Sequence, residues 1–168
     1  MADSRQPTTD TWSAWLAERG PALLLFARQW VPAVSDAEDV VQEAFIRFWR
    51  SRQQAADPSA YLFTCVKNAA NEWHRGRGRR ARREEAVARP EAELFHGPQA
   101  QQERRAMIEA ALGRLPEAQR EVLVMKIWGG LTFPQVAEAL AIPANTAASR
   151  YRYALDRLRE ELAEEPIA

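Results

Sequence analysis

The sequence is poor in the residues that build disulfides and metal centres. Its 168 residues include one cysteine and two histidines. A lone Cys65 excludes an intramolecular disulfide and fits a reducing cytosol. Because this cysteine lies in an apolar run, we expect its side chain to be buried. His74 and His96 have no second cysteine or histidine at metal-ligand spacing, so no metal site is predicted.

Long apolar stretches and catalytic motifs are missing as well. The longest apolar run, Ala22 to Ala27, is far too short to cross a bilayer, and the first residues have no apolar core of signal-peptide length. We therefore expect a cytoplasmic protein with no membrane insertion. The chain has no phosphate-binding lysine loop, dinucleotide glycine pattern or nucleophile elbow. Neither a cofactor nor enzymatic activity is expected.

An excess of charge of one sign is also absent, but the charges are segregated. The 23 basic and 23 acidic residues cancel. The segment from His74 to Arg83 nevertheless carries six arginines and no acid, and the segment from Asp36 to Glu43 carries four acids and no base. Nucleic-acid binding must therefore be argued from a local basic patch, since net charge gives no support for it.

The spacing of apolar residues predicts an all-α chain. They recur at intervals of three and four, and glycine and proline cluster between the periodic segments. Ser35 and Glu38 form a capping-box pattern at a helix start, and Gly129-Gly130 predicts a helix end. Gly20-Pro21 is expected to break or kink the first helix. The predicted helices cover about 11–30, 36–50, 59–74, 105–115, 117–128, 131–142 and 143–162.

A polar segment divides these helices into two groups. We predict a small helical domain over residues 9–83, a flexible linker over 84–104 and a second small helical domain over 105–163. At this length, two small domains can each build a real apolar core.

The second predicted helix has an unusual outward face. Its core stripe leaves Asp39, Gln42, Glu43, Ile46 and Trp49 on the other side. An aromatic anchor beside polar residues is typical of a protein-protein interface. The alternative is that Trp49 is covered by the first helix, and the residues alone favour neither.

The third helix leads into the arginine-rich segment. Asn68, Asn71, Glu72 and Arg75 recur on the face opposite its apolar residues. Amides and acids can read base edges and arginines can neutralise phosphates, so this face suits DNA. A solvated helix followed by a charged linker explains the pattern equally well. Three nearby aromatic residues could stack on unpaired bases, namely Tyr61, Phe63 and Trp73.

The last two helices form a predicted helix-turn-helix around Ile142-Pro143. The core pattern of the final helix includes Ala147 and leaves polar side chains outward near its amino end, which is the end that normally enters a major groove. A surface helix with scattered arginines is the alternative. The expected contacts to DNA are Asn145, Thr146, Ser149, Arg150 and Arg152.

Four stretches together, residues 35–50, 60–71, 115–123 and 142–159, resemble the extracytoplasmic-function (ECF) group of bacterial sigma factors. The resemblance implies a sigma region 2-like domain followed by a region 4-like domain, with core RNA polymerase and promoter DNA as partners and an anti-sigma protein as a further one. A monomer is expected when the protein is free. The chain departs from common members at Pro134, Asn145, Ala147 and Ala148, so the resemblance specifies the role more closely than the promoter sequence.

The resemblance also implies roles for residues. The family's positions that dock on the clamp helices of the polymerase are matched here by Asp39, Gln42, Glu43 and Trp49. Asn68 matches a reader of the minus-ten element, with Asn71, Glu72 and Arg75 beside it, and the loop from Gln53 to Ser59 matches one that captures a flipped base. The last helix matches the reader of the minus-thirty-five element.

Two rival hypotheses remain. A stand-alone helix-turn-helix regulator would bind duplex DNA without polymerase, but it leaves the outward face of the second helix unexplained. A module that sequesters a partner protein would touch no DNA, which the arginine run and an outward Arg152 disfavour.

Overall fold

The computed structural model describes residues 9–80 and 99–164. Over these ranges the chain forms seven α-helices and one 3-10 turn, with no strand among them, so the predicted all-α class is confirmed. The helices are α1 Thr9–Ala27, α2 Val34–Ser51, α3 Pro58–Arg80, α4 Gln99–Gly113, α5 Glu117–Ile127, α6 Phe133–Leu140 and α7 Ala144–Glu164, and the 3-10 turn is Arg52–Gln54.

The start predicted for α2 is wrong. The helix begins at Val34, Ala33 is the N-cap, and no side chain caps it. Ser35 therefore lies inside the first turn. Glu38 cannot close a capping box because its side chain is buried beside α1, where one carboxylate oxygen has no hydrogen-bond partner.

The expected break at Gly20-Pro21 is also absent, since α1 runs continuously with Pro21 inside it. Pro21 is exposed, whereas the residues from Ala22 to Ala27 are all buried. Their burial compensates for the hydrogen bond that the proline cannot make. Helical spacing predicts that Trp12 and Trp15 belong to the buried stripe of α1, but their side chains lie outside the described residues.

Local chemistry accounts well for the other helix ends. Asp57 Oδ1 accepts the Ala60 amide at 3.0 Å and caps α3. At the end of α5, Gly130 adopts a φ of +64°, which favours glycine. A capping box is present at α6, where Thr132 and Gln135 exchange bonds between side chain and backbone.

The second half departs from the sequence prediction in three places. α4 begins at Gln99, so the end of the predicted linker is helical; residues 84–98 of that linker lie outside the described residues. Helical spacing predicts that Met107 and Leu162 face a core, but each is 47% exposed. Among the described residues, the neighbouring helices leave about half of each side chain uncovered.

The two helical groups pack against each other around one continuous apolar core. α3 packs on α6 and α1 packs on α5. Phe63 lies at this junction, fully buried, with its ring 5.2 Å from that of Phe26. Our expectation that Phe63 could stack on a base is therefore wrong, because α5 and its following turn cover the ring.

Candidate functional site

The outward face of α2 is open to solvent. We call Asp39, Gln42, Glu43, Ile46 and Trp49 the α2 face. Ile46 is 47% exposed, although it is a large apolar residue. The exposed polar members are Asp39, Gln42 and Glu43.

Trp49 is the half-buried member of this face. Its ring carries the guanidinium of Arg52 at 3.6 Å and lies 6.1 Å from the ring of Phe45. These contacts hold the indole in place and leave part of it accessible. A rigid, partly exposed aromatic side chain beside polar neighbours is the composition of an interface hot spot.

Arg47, which the sequence reasoning missed, connects the α2 face to α3. Its guanidinium donates two hydrogen bonds to the Glu72 carboxylate, at 2.6 and 2.8 Å, and a third to Glu43 at 3.1 Å. The hydrogen bond from Arg47 lowers the pKa of Glu72, and the carboxylate raises that of the arginine. The Glu43–Arg47 contact could have been predicted from sequence, because side chains four residues apart lie next to each other on a helix.

The polar face of α3 lies beside this bridge. Asn68 and Arg75 are exposed and Asn71 is half-buried. Glu72 is exposed but held by Arg47. The structure thus brings Asn68, Asn71, Glu72 and Arg75 onto one face, as their spacing predicts. The side chains of the remaining arginines of this basic segment lie outside the described residues, namely Arg77, Arg79, Arg80, Arg82 and Arg83.

A cavity of about 480 Å³ lies at the foot of α3, beside the loop from Gln53 to Ser59. Tyr61 and Thr64 of α3 form one wall, and Glu138 of α6 forms another. Burial raises the pKa of the Tyr61 hydroxyl. The neighbouring Cys65 is buried, as expected, and burial raises the pKa of its thiol too.

The helix-turn-helix consists of α6, a turn and α7. Ala141 takes a left-handed φ of 53° in the turn. Ala147 is fully buried against the core, so it cannot contact a ligand. The amino end of α7 is accessible, with Asn145 and Arg152 exposed and Thr146, Ser149 and Arg150 half-buried.

Two polar side chains at this end bond within the helix. Asn145 Oδ1 accepts the Thr146 amide at 3.0 Å, and Ser149 Oγ donates to the Asn145 carbonyl at 3.0 Å. Arg152 rests its guanidinium 5.3 Å from the Tyr153 ring and has no acidic partner in the described contacts. A cation with no fixed partner is available for an external anion.

A metal site and a membrane-spanning helix are both absent from the part of the chain that the structure describes. Over 9–80 and 99–164, no three histidine, cysteine or acidic side chains come together in a way that could hold a metal ion. None of the described helices is both long and apolar enough to span a bilayer.

Comparison with known proteins gives two family matches. Residues 11–80 match sigma-70 region 2, and residues 105–158 match sigma-70 region 4. The chain is 34% identical over 155 residues to the RNA polymerase sigma-E factor of Streptomyces coelicolor, covering 88% of this chain and 84% of that protein. It is 33% identical over 144 residues to the ECF RNA polymerase sigma factor RpoE of Cereibacter sphaeroides, covering 77% and 74%.

Solved structures share the fold. The sigma factor RpoE of Bartonella quintana, crystallised with the anti-sigma factor NepR, superposes with a TM-score of 0.66 at 26% identity and covers 94% of this chain and 99% of its own. CnrH in complex with the cytosolic domain of CnrY gives a TM-score of 0.65 at 24% identity, covering 94% and 92%.

Proposed function

The chain belongs to the ECF group of the sigma-70 family, and from this premise we propose that it binds core RNA polymerase and directs transcription initiation at promoters. The observation that carries the proposal is the presence of two separate open faces in one chain, one suited to a protein and one suited to DNA. The role is recruitment and recognition, without catalysis by the chain itself.

The α2 face is proposed to bind the polymerase. Its exposed acids can meet basic residues of the enzyme, while Ile46 and Trp49 supply apolar area. Charged rims accelerate association and exclude wrong partners, and a buried aromatic anchor contributes most of the affinity. Asp39, Gln42 and Glu43 are the proposed polar contacts.

The polar face of α3 and the loop from Gln53 to Ser59 are proposed to read the minus-ten element. Asn68 presents an exposed amide, and Arg75 is positioned to neutralise phosphate. A base extruded from the duplex costs a few kcal/mol, and a pocket that binds only the correct base makes opening sequence-dependent. Melting in this scheme needs no nucleotide hydrolysis by the chain.

The amino end of α7 is proposed to read the minus-thirty-five element in the major groove. Asn145 and Arg152 are exposed there and are the leading candidates for base or phosphate contacts. Two modest readers on one chain raise each other's effective concentration at a promoter of the right spacing.

The expected further partner is an anti-sigma protein, since the similar RpoE of Bartonella quintana was crystallised with one. The free protein is proposed to be monomeric and to act in the cytoplasm, where polymerase is found.

A reconstitution tests the proposal. The purified chain and core polymerase are mixed on genomic fragments, and unpaired thymines and run-off transcripts are mapped. We expect the two proteins to co-purify and transcripts to start downstream of opened sites. The stand-alone regulator hypothesis predicts binding of duplex DNA without the polymerase, and that result would reject the proposal.

A further inference from the structure

A groove between α1 and α2 opens beside the α2 face, with which it shares Gln42. Its volume is about 380 Å³, within the range of about 300 to 1,000 Å³ that small-molecule sites occupy. Leu16, Ala17 and Leu24 of α1 and Val41 of α2 give it largely apolar walls. The groove thus has the size and lining of a small-ligand site.

Gly20 of α1 leaves room in this groove. It lies among the lining residues, and a Cβ built on it would meet nothing within 4 Å. Glycine destabilises the middle of a helix, and Gly20 has neither a positive φ nor a close neighbour that would require it. A larger side chain at this position would take up space that the groove now offers.

Glu38 is the charged group of the groove. The residue is only 9% exposed, and its buried Oε1 has no hydrogen-bond partner. None of the ion pairs found over residues 9–80 and 99–164 includes it. Burying a carboxylate without a partner is costly. A group that compensates this charge must therefore come from outside these contacts.

The charges near Glu38 favour a cation in that role. The segment from Asp36 to Glu43 carries four acids and no base, so the field along this part of α2 is negative. An anion would be repelled, and a neutral ligand would leave the Glu38 charge uncompensated. A cation with an apolar body matches both the carboxylate and the apolar walls.

From this combination we propose that the groove binds a small organic cation. Its ammonium or guanidinium group pairs with the Glu38 carboxylate, and its compact apolar body packs against Leu24 and Val41. The side-chain carbonyl of Gln42 can accept a further N–H of the ligand. The site involves neither polymerase nor DNA and so goes beyond the proposed function.

The test uses the full chain and two probes of the same size. Phenethylammonium carries the cation, and phenethyl alcohol offers the same apolar body without the charge. Titrations followed by NMR of the Leu24 and Val41 methyl groups give the affinity of each probe and place it in the groove. Thermal melts and circular dichroism check that every variant is folded.

Three variants separate charge from space. E38Q removes the carboxylate charge at nearly the same volume. G20L fills the groove and should leave the chain at least as stable, because leucine favours a helix more than glycine does. The matched control is E18Q, which removes the charge of an exposed residue of α1 that does not line the groove.

We expect the parent to bind phenethylammonium at least about tenfold more tightly than the alcohol. E38Q should bring the two probes to the same affinity, because the paired charge is gone. G20L should lose both probes, and E18Q should bind them as the parent does.

Three results would overturn the proposal. These are equal affinities of the two probes for the parent, no binding of phenethylammonium up to about 10 mM, and unchanged ammonium binding in folded E38Q. If E38Q does not fold, parent-like ammonium binding by folded G20L would overturn it as well. If neither probe binds but E38Q weakens polymerase binding, the occupant is a basic side chain of a partner protein, and the small-ligand proposal is rejected.

The probe titrations need no polymerase. A chain that binds phenethylammonium as expected but fails to bind polymerase would keep this inference and reject the proposed function.

Discussion

Reversing the charge of Glu43 should separate polymerase binding from folding. The side chain is 52% exposed and its one described contact is the hydrogen-bonded ion pair with Arg47. An exposed pair spaced by four residues on a helix contributes about 0.3 to 0.5 kcal/mol, and the like-charge pair in Glu43→Lys costs a similar amount. Arg47 keeps its two bonds to Glu72. The total loss of stability should therefore stay below about 1 kcal/mol.

The effect on binding should be much larger. If Glu43 meets a basic residue of the polymerase in a desolvated contact, losing that partner costs about 2 to 5 kcal/mol, or about 30-fold to several thousandfold in affinity. In a chain of 168 residues, a loss of 1 kcal/mol lowers the melting temperature by about 2 to 4 °C. Glu43→Lys should thus lower the affinity for polymerase far more than it lowers the stability of the fold.

The assay pairs a polymerase titration, followed by fluorescence anisotropy of the labelled chain, with a thermal melt. The matched control is Glu103→Lys, the same charge change at an exposed position of α4. We expect the control to bind polymerase like the parent. Binding by Glu43→Lys within about threefold of the control would refute the reasoning, and an equal loss of helicity would show that the α2 face is structural.

Four further experiments test other parts of the structure. Arg152→Ala should weaken recognition of the upstream duplex by about 1 to 3 kcal/mol and leave polymerase affinity unchanged; equal losses in both assays would contradict this. Gly129→Ala places a carbon 2.5 Å from a backbone oxygen and should lower the free energy of unfolding in urea by about 1 to 3 kcal/mol. In the control Gly113→Ala the added carbon meets nothing within 4 Å, so this change should not destabilise the chain. The buried Cys65, whose pKa burial raises, should react with a thiol reagent far more slowly in the native chain than in urea; equal rates would argue against that burial. The arginine partner of Glu72 lowers the pKa of the Glu72 carboxyl below the ordinary 4.5. The ion pair should therefore stabilise the fold fully above pH 4.5 and lose this contribution as the pH falls through the lower pKa of the folded state. Melting temperatures of the parent and Glu72→Gln should converge in acid, and a constant difference between them would contradict the ion pair.

Local chemistry along the chain determines much of this protein. The paired glycines 129 and 130 end α5, and apolar spacing places Ala147 in the core and Asn145 and Arg152 outside it. These features depend on backbone freedom and helix period, which neighbours in sequence specify. The outward position of the α2 face follows from the same period.

Tertiary structure decides the rest, because it depends on which helices meet. The sequence pattern predicts a capping box between Ser35 and Glu38. In the structure Glu38 is buried beside α1, and no side chain caps the helix. Arg47 joins Glu72 only because α2 packs on α3, and Lys67 meets Glu121 across 54 positions of sequence only because the two helical groups share a core. A helical period specifies the direction of a side chain, but its partner is set by packing between segments distant in sequence.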